Sequence, residues 1–391
     1  MKSFLQVSSA LPADADDAIL VGRVHIEGTG AVLVQVRTDG VFDLSALAPT
    51  CSELLELPDL PAVLKSHSGR RIASTEHVLA NSAFDEHQPA YPWLLAPCDL
   101  QAIKAAGVTF VSSMLERVIE EQARGDASKA DAVRQAVIAV IGENLGAVKP
   151  GSEDAARLKA VLIAQGVWSQ YLEVGIGPDA EIFTKSQPMS AVGTGAEIGI
   201  HPQSEWNNPE PEIVLAVNSR GEVLGASLGN DVNLRDFEGR SALLLGKAKD
   251  NNASCAIGPF IRIFDQHFTM DDVRQCDLAM KVQGPEGFVM EGASSISKIS
   301  RDPLDLASQA IGANHQYPDG FMLFLGTMFA PTQDRLGPGL GFTHVVGDLV
   351  TVATPRLGTL ANRVNTSDRI APWTYGATAL MRDLARRGLL R

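Results

Sequence analysis

The segment from Trp206 to Val217 constrains the chain most, because it places two acids at the start of an apolar run typical of a strand. Side chains alternate between the two faces of a strand, so Glu210 and Glu212 point the same way, about 7 Å apart. The turn-forming segment 218–221 follows and predicts a hairpin. Folding back about residue 220 brings position 230 opposite position 210, to within a residue or two, which places a third acid, Asp231, beside the glutamates.

Three convergent carboxylates without a thiolate are the ligand set of a hard divalent cation, so the hairpin predicts a site for Mg²⁺, with Mn²⁺ as the alternative. A Glu-x-Glu pair by itself is more often a solvated face. The hairpin and Asp231 are what favour the metal interpretation over that alternative.

Composition excludes several classes of function. The chain has 391 residues, of which 45% are hydrophobic and 20% charged, as in ordinary globular proteins. A formal charge of −13 disfavours binding to nucleic acid or to an anionic membrane surface. The four cysteines are scattered without CxxC spacing, which disfavours zinc ribbons and a disulfide framework and fits a reducing cytoplasm. We find no signal-peptide pattern and no apolar run long enough to span a membrane.

Strand patterns dominate the chain and predict an α+β, β-rich fold with an N-terminal accessory domain over residues 1–95 and a catalytic domain over 96–391. The proline-rich stretch from His87 to Pro97 is the best linker candidate.

Three helical patterns between about 113 and 165 indicate an insertion. The first runs from Ser113 to Arg124, the second from Ser128 to Asn144 and the third from Ser152 to Gln165. We interpret it as a covering subdomain or a dimer surface. Neither a Walker loop nor a Gly-x-Ser-x-Gly elbow occurs.

Other residues are candidates beside such a metal site. Lys249 could hold a substrate carboxylate or stabilise an enolate, with a surface lysine as the alternative. Thr327 could bind a carboxylate at a strand end or be a turn residue. Glu181 could be a general acid or base or an exposed strand start. Ser113, Glu116 and Arg117 share one helical face by i, i+3 and i+4 spacing, for which an intrahelical ion pair is the simple explanation.

Several short motifs occur in a defined order: Glu210-Pro211-Glu212, Gly229-Asn230-Asp231-Val232, Lys249, Gly258-Pro259, Gly326-Thr327, Gly347-Asp348-Leu349-Val350 and Leu357–Asn362. In these motifs the chain resembles the fumarylacetoacetate hydrolase superfamily over roughly residues 100–391. Within it, the stretches 106–110, 231–240, 247–260 and 315–321 resemble the sugar-acid dehydratase branch.

This resemblance implies a mixed β-roll catalytic domain, a Mg²⁺ site and a homo-oligomer, a dimer or a tetramer. Carried over residue by residue, Glu210, Glu212 and Asp231 are implied as the metal ligands. Further roles are implied for Glu181 and Lys249 in catalysis, and for Thr327, Lys185, Ser113 and Arg117 in substrate binding.

The chain departs from the hydrolytic members, which carry a water-activating His–Glu pair, because residues 110–116 contain no histidine. The resemblance therefore implies elimination: Mg²⁺-dependent removal of water from a 2-keto-3-deoxy-pentonate, giving 2-oxoglutarate semialdehyde, in non-phosphorylating oxidative pentose degradation. The alternatives are a hydrolase of a 2,4-diketo-3-deoxy sugar acid that releases pyruvate, an oxaloacetate decarboxylase or tautomerase, and a non-enzymatic sugar-acid sensor or scaffold.

Overall fold

Two sheets, of 11 and five strands, form the framework of the described residues and the helices pack around them, which confirms the β-rich α+β fold class predicted from the sequence. The computed structural model describes residues 1–141, 148–164, 166, 168–329 and 331–390. Within them the strands are β1 (Leu20–Ile26), β2 (Gly30–Val36), β3 (Val41–Asp43), β4 (Arg71–Ala73), β5 (Trp93–Leu95), β6 (Ala102–Ala106), β7 (Ile182–Ser186), β8 (Glu197–Ile200), β9 (Asn207–Asn208), β10 (Pro211–Val217), β11 (Val223–Asp231), β12 (Asn233–Leu234), β13 (Cys255–Ile263), β14 (Asp277–Gln283), β15 (Val289–Ser295), β16 (Phe321–Phe324), β17 (Leu349–Thr354) and β18 (Gly358–Thr366).

The described α-helices are α1 (Val7–Ala10), α2 (Cys51–Leu54), α3 (Leu60–Ser66), α4 (Thr75–Asn81), α5 (Val111–Gln122), α6 (Ala130–Ile141), α7 (Glu153–Ala164), α8 (Gln170–Ile176), α9 (Arg235–Glu238), α10 (Leu245–Lys249), α11 (Met270–Arg274), α12 (Pro303–Ala310) and α13 (Ala377–Arg386). Helices α5, α6 and α7 match the three predicted helical patterns. The predicted ends at Asn144 and Gln165 lie outside the described residues. None of the helices described is long and apolar enough to cross a membrane.

The largest sheet runs β4-β3-β2-β1-β13-β11-β10-β16-β6-β7, with β5 paired to β1. Strand β1 pairs antiparallel with β13, so strands from both sides of residue 95 share this sheet, and the stretch predicted to be a linker contributes β5. The division into domains 1–95 and 96–391 stays a prediction.

The predicted hairpin is formed by β10 and β11, in the interior of this sheet. Strand β10 is buried throughout, because alternate residues enter two cores: Ile213 and Leu215 one, Val214 and Ala216 the other. Pro211 takes its first position, where a missing N–H is tolerated. The register pairs Pro211 with Asn230, one residue from the pairing of 210 with 230 and within the margin that folding about residue 220 predicts.

A second sheet, of order β15-β14-β17-β18-β8, shares the first of these cores with the large sheet. Leu278 and Met280 of β14 and Val350 and Val352 of β17 belong to it. The second sheet therefore packs against the face of the β10–β11 hairpin that carries Ile213 and Leu215.

Helices α5 and α8 form a separate helical layer with its own core, which includes Met114, Val118, Leu172 and Trp206. Strand β6 leads directly into α5, so the helix starts at the sheet edge where β10 begins and β11 ends. The layer is thereby held next to the three carboxylates.

Candidate active site

The hairpin brings the three predicted carboxylates together. Asp231 is the last residue of β11, and its backbone N–H donates to the carbonyl of Glu210 over 3.0 Å. One carboxylate oxygen from each of Glu210, Glu212 and Asp231 lies within 4.8 Å of the others, and all three residues are at most 3% exposed. The arrangement is a buried acidic triad, which excludes the solvated-face alternative.

Two buried lysines contact this triad. Lys249 Nζ lies 2.5 Å from Glu210 Oε2 and 3.0 Å from Asp231 Oδ2. Lys185 Nζ lies 2.9 Å from Asp231 Oδ1 and donates to the carbonyls of Val232 and Lys249. Neither is a surface lysine. Burial acts to lower the pKa of Lys249, but Asp231 and Glu210 outweigh it and raise that pKa, so the side chain carries a proton at neutral pH.

Arg117, on α5, contacts the triad from the helical layer. One of its nitrogens donates to Glu120 over 2.7 Å and to Glu238 over 2.8 Å, and the other donates to Glu210. Arg117 thus forms an intrahelical ion pair with Glu120, which belongs to a larger buried network, whereas Glu116, the acid on the predicted helical face, pairs with Arg134. Arg235 continues it, with Nε 3.1 Å from Glu120 Oε1.

Glu120, Glu238 and Arg235 were missed by the sequence analysis as site residues. The i, i+3 spacing of Arg117 and Glu120 on one helix was an available signal. Glu238 and Arg235 lie within the stretch 231–240 that carried the family resemblance, but nothing local indicated that α9 would meet α5.

The charges within the triad are strongly coupled. Burial acts to raise the pKa of Glu210, but Arg117 and Lys249 oppose it and lower that pKa to about 2. Burial, followed by Asp231 and Glu210, raises the pKa of Glu212 well above its usual value. With Glu212 ionised, the triad would therefore carry more negative charge than the two lysines and Arg117 offset. A divalent cation would supply the missing positive charge.

The donor set fits a hard divalent cation in two further respects. Asp231 Oδ1 is buried, and Lys185 Nζ, 2.9 Å away, meets it as an ion pair outside hydrogen-bonding geometry, so this oxygen keeps a lone pair for a cation. Glu212 Oε2 accepts the backbone N–H of Gly326 over 2.7 Å, which fixes the orientation of its carboxylate. Glu210, Glu212 and Asp231 would hold Mg²⁺.

Glu181 immediately precedes β7 and lies beside Gly107, which follows β6. A Cβ at Gly107 would sit 1.8 Å from Glu181 Oε2, so the glycine leaves the room that this half-buried carboxyl occupies. Burial, followed by the charge of Glu238, raises the pKa of Glu181 to about 7. Among the predicted catalytic residues, Glu181 is thus the one able to exchange a proton near neutral pH.

The two remaining candidates, Thr327 and Ser113, form their hydrogen bonds with nearby backbone carbonyls and not with the triad. Thr327 is 7% exposed and follows Gly326, but its hydroxyl donates to the carbonyl of Phe329 over 3.0 Å. Ser113 is buried on α5, and its hydroxyl donates to the carbonyl of Phe110 over 2.8 Å. The structure does not join either side chain to the triad, so their substrate-binding roles stay predictions.

The fold is that of the fumarylacetoacetate-hydrolase type, as its likeness to solved dehydratase structures shows. The apo form of 2-keto-3-deoxy-D-arabinonate dehydratase has a TM-score of 0.62 at 22% identity, over 89% of this chain and 99% of that one. The same enzyme complexed with magnesium and 2,5-dioxopentanoate has a TM-score of 0.60 at 21% identity, with the same coverage. At these identities the likeness concerns the fold alone.

Two curated relatives are similar in sequence. A probable 2-keto-3-deoxyxylonate dehydratase from Haloferax volcanii is 30% identical over 196 residues, which are 50% of this chain and 64% of the relative. The 2-dehydro-3-deoxy-D-arabinonate dehydratase from Saccharolobus solfataricus is 31% identical over 193 residues, 49% of this chain and 60% of the relative. The chain thus spans about three fifths of the relatives it matches. No protein-family model matches the chain. The similarities confirm the resemblance that the sequence motifs indicated.

Proposed function

We propose that this protein is a Mg²⁺-dependent hydro-lyase that removes water from a 2-keto-3-deoxy-pentonate and releases 2,5-dioxopentanoate, which is 2-oxoglutarate semialdehyde. The observation that carries this proposal is a buried carboxylate triad whose Glu210 and Asp231 both contact Lys249 Nζ. The names of the two curated relatives and the ligand of the solved neighbour support it.

The metal would polarise the 2-keto group and so acidify the protons on C3. Glu181 then removes a C3 proton, because its pKa of about 7 leaves much of it ionised at neutral pH. The C4 hydroxyl leaves as water after taking up a proton, giving a C3–C4 double bond. Transfer of a proton from C5 to C3 yields the C4–C5 enol, which becomes the aldehyde.

The lysines have electrostatic roles in this proposal. Lys249 remains protonated, so we assign it the stabilisation of the enolate and not the removal of the C3 proton. Lys185 is held by two backbone carbonyls as well as by Asp231, so it fixes the orientation of that carboxylate. Arg117 does the same for Glu210.

Product analysis tests the proposal. Purified protein with Mg²⁺ and 2-keto-3-deoxy-D-xylonate should give an aldehyde that NMR identifies and that a semialdehyde dehydrogenase oxidises, and EDTA should stop the reaction. Pyruvate with glycolaldehyde would instead indicate carbon–carbon cleavage and refute the dehydratase. The same assay with Mn²⁺ tests the alternative metal. The pathway, the homo-oligomeric state and the cytoplasmic location remain predictions from the sequence.

A further inference from the structure

The side chain of Tyr171 lies in the helical layer, at the level where the ion-pair network begins. Helix α8 runs antiparallel to α5, because Ser169, just before its start, donates through Oγ to Glu121, whereas Gly175, near its end, lies against Met114. Tyr171, in the first turn of α8, is therefore level with the middle of α5, which carries the arginine that contacts the triad.

The phenol of Tyr171 is surrounded by charged groups of this network. Its side chain belongs to the core of the helical layer and is 6% exposed. Burial, followed by the charge of Glu238, raises the pKa of Tyr171, and Arg117 opposes this rise. The charges of Glu120 and Glu181 add to it. The phenol therefore keeps its proton at neutral pH and offers a hydrogen-bond donor.

This donor is unused within the described part of the chain. The phenol oxygen of Tyr171 has no hydrogen-bond partner there, yet it is not one of the fully enclosed unpaired polar atoms, as Trp206 Nε1 is. It therefore keeps accessible surface and can meet a bound molecule. Hydroxyl groups of buried residues are normally paired, so an open and unpaired one beside the candidate active site points to a ligand.

The triad, Glu181 and Tyr171 follow one another across the site. Lys249 and Glu210 are among the charges that act most on the Glu181 carboxyl. The charges that act most on Tyr171 include Glu181 but neither Lys249 nor Glu210. Tyr171 thus lies on the far side of Glu181 from the triad. A keto acid with its C1 carboxylate and 2-keto oxygen at the triad and C3 at Glu181 would extend C4 towards Tyr171.

We propose that the Tyr171 hydroxyl binds the C4 hydroxyl of the substrate and holds it beside Glu181 for elimination, an inference that rests on the proposed dehydratase function. The C3–H bond breaks and its proton passes to the Glu181 carboxylate. The electron pair left on C3 forms the C3–C4 double bond as the C4–O bond breaks. Glu181 returns the proton to the departing oxygen, which leaves as water. Tyr171 donates a hydrogen bond to that oxygen throughout and keeps its own proton, so it selects substrates that carry a hydroxyl on C4.

Two four-carbon keto acids that differ only at C4 test this role. Purified Glu181→Gln protein, which lacks the base, is titrated by calorimetry with 4-hydroxy-2-oxobutyrate and with 2-oxobutyrate in the presence of Mg²⁺. We expect the hydroxylated acid to bind about fivefold more tightly, the usual effect of one hydrogen bond. Adding Tyr171→Phe removes only the phenol oxygen, so it should abolish this preference and leave the affinity for 2-oxobutyrate within twofold. Tyr91→Phe, at an exposed position, is the matched control and should keep the preference.

The possible results separate this inference from the proposed function. Equal preference in the Tyr171→Phe and Tyr91→Phe variants would overturn the role of Tyr171 and leave the dehydratase in place. Equal weakening of both acids by Tyr171→Phe would indicate a structural role and also refute it. Binding of neither acid would refute the proposed function and this inference with it. If Tyr171→Phe does not fold, Tyr171→Met replaces it with the same expectation, because methionine fills the space without a hydroxyl.

Discussion

Glu181 and Lys249 were both predicted to be catalytic, and their surroundings assign them different proton affinities. Lys249 contacts two carboxylates and stays protonated, whereas burial raises the pKa of Glu181 to about 7. We expect Glu181→Gln to lower kcat 10²- to 10⁴-fold, about the contribution of a general base. Mg²⁺ affinity, measured by calorimetry, should stay within threefold. Glu116→Gln is the matched control, because Glu116 pairs with Arg134 outside the site. Unchanged kcat in Glu181→Gln would remove it from the mechanism.

The pH profile follows from the same carboxyl. Below pH 7 Glu181 is mostly protonated and cannot accept the C3 proton, so kcat/KM should fall about tenfold per pH unit there. Above pH 7 it should level off. Initial rates between pH 5 and 9 measure this, with circular dichroism at each pH to show that the fold is intact. A profile that falls above pH 7 would instead identify Glu181 as the essential acid.

Gly107 can be tested independently, because a methyl group there would overlap Glu181 Oε2. We expect Gly107→Ala to displace that carboxyl and lower kcat at least tenfold, while the melting temperature changes by only a few degrees. The control is Gly312→Ala, where a Cβ meets nothing within 4 Å among the described residues. Equal kcat in both variants would show that the position of the Glu181 carboxyl does not limit the rate.

At the level of secondary-structure elements, Arg117 joins α5 to α9 and to the start of β10 through three carboxylates. Removing this guanidinium leaves those acids buried without their main partner, so we expect Arg117→Met to lower the free energy of unfolding by about 3–5 kcal/mol. Urea denaturation measures this. Arg157→Met is the control, because the ion pairs of Arg157 with Glu153 and Asp154 on α7 are exposed, so their loss should change stability by less than about 1 kcal/mol. Similar losses in both variants would contradict the buried-network interpretation.

The same elements show what the sequence could predict. The β10–β11 hairpin follows from local signals, namely an apolar run, a turn and a period of two, so its register and the meeting of three acids were predictable. The contacts of Arg117 with Glu210 and Glu238 span 93 and 121 residues. No local pattern specifies such partners, and helix spacing could have indicated only the pair with Glu120.

For the whole molecule, long-range pairing determines how the parts combine. Residues 1–95 were predicted as an N-terminal accessory domain, and the structure forms strands β1–β5 there. The strand β13, which pairs with β1 through Leu20 and Arg262, lies more than 200 residues further along the chain. Which distant strands pair depends on which apolar surfaces are still exposed after the local elements have formed. The period of the hydrophobic pattern does not predict this choice.

Metal binding should be visible in global stability, because Glu210, Glu212 and Asp231 lie on a hairpin in the interior of the largest sheet and come together only in the folded chain. A ligand that binds only the native state stabilises it by about 2.7 kcal/mol at a hundredfold excess over Kd. We therefore expect the melting temperature to rise with Mg²⁺ concentration. The rise should be larger at higher pH, because the raised pKa of Glu212 makes protons compete with the metal.

Glu212→Gln should abolish most of this Mg²⁺-dependent rise, and Asp271→Asn, at an exposed position of α11, should retain it. The substitution also removes a carboxyl crowded by Asp231 and Glu210, so without metal this variant should melt no lower than the unmodified protein. Loss of the Mg²⁺ response together with unchanged or greater metal-free stability would separate a ligand role from a structural one. A Mg²⁺ response of equal size in both variants would mean that the cation binds elsewhere on this acidic chain.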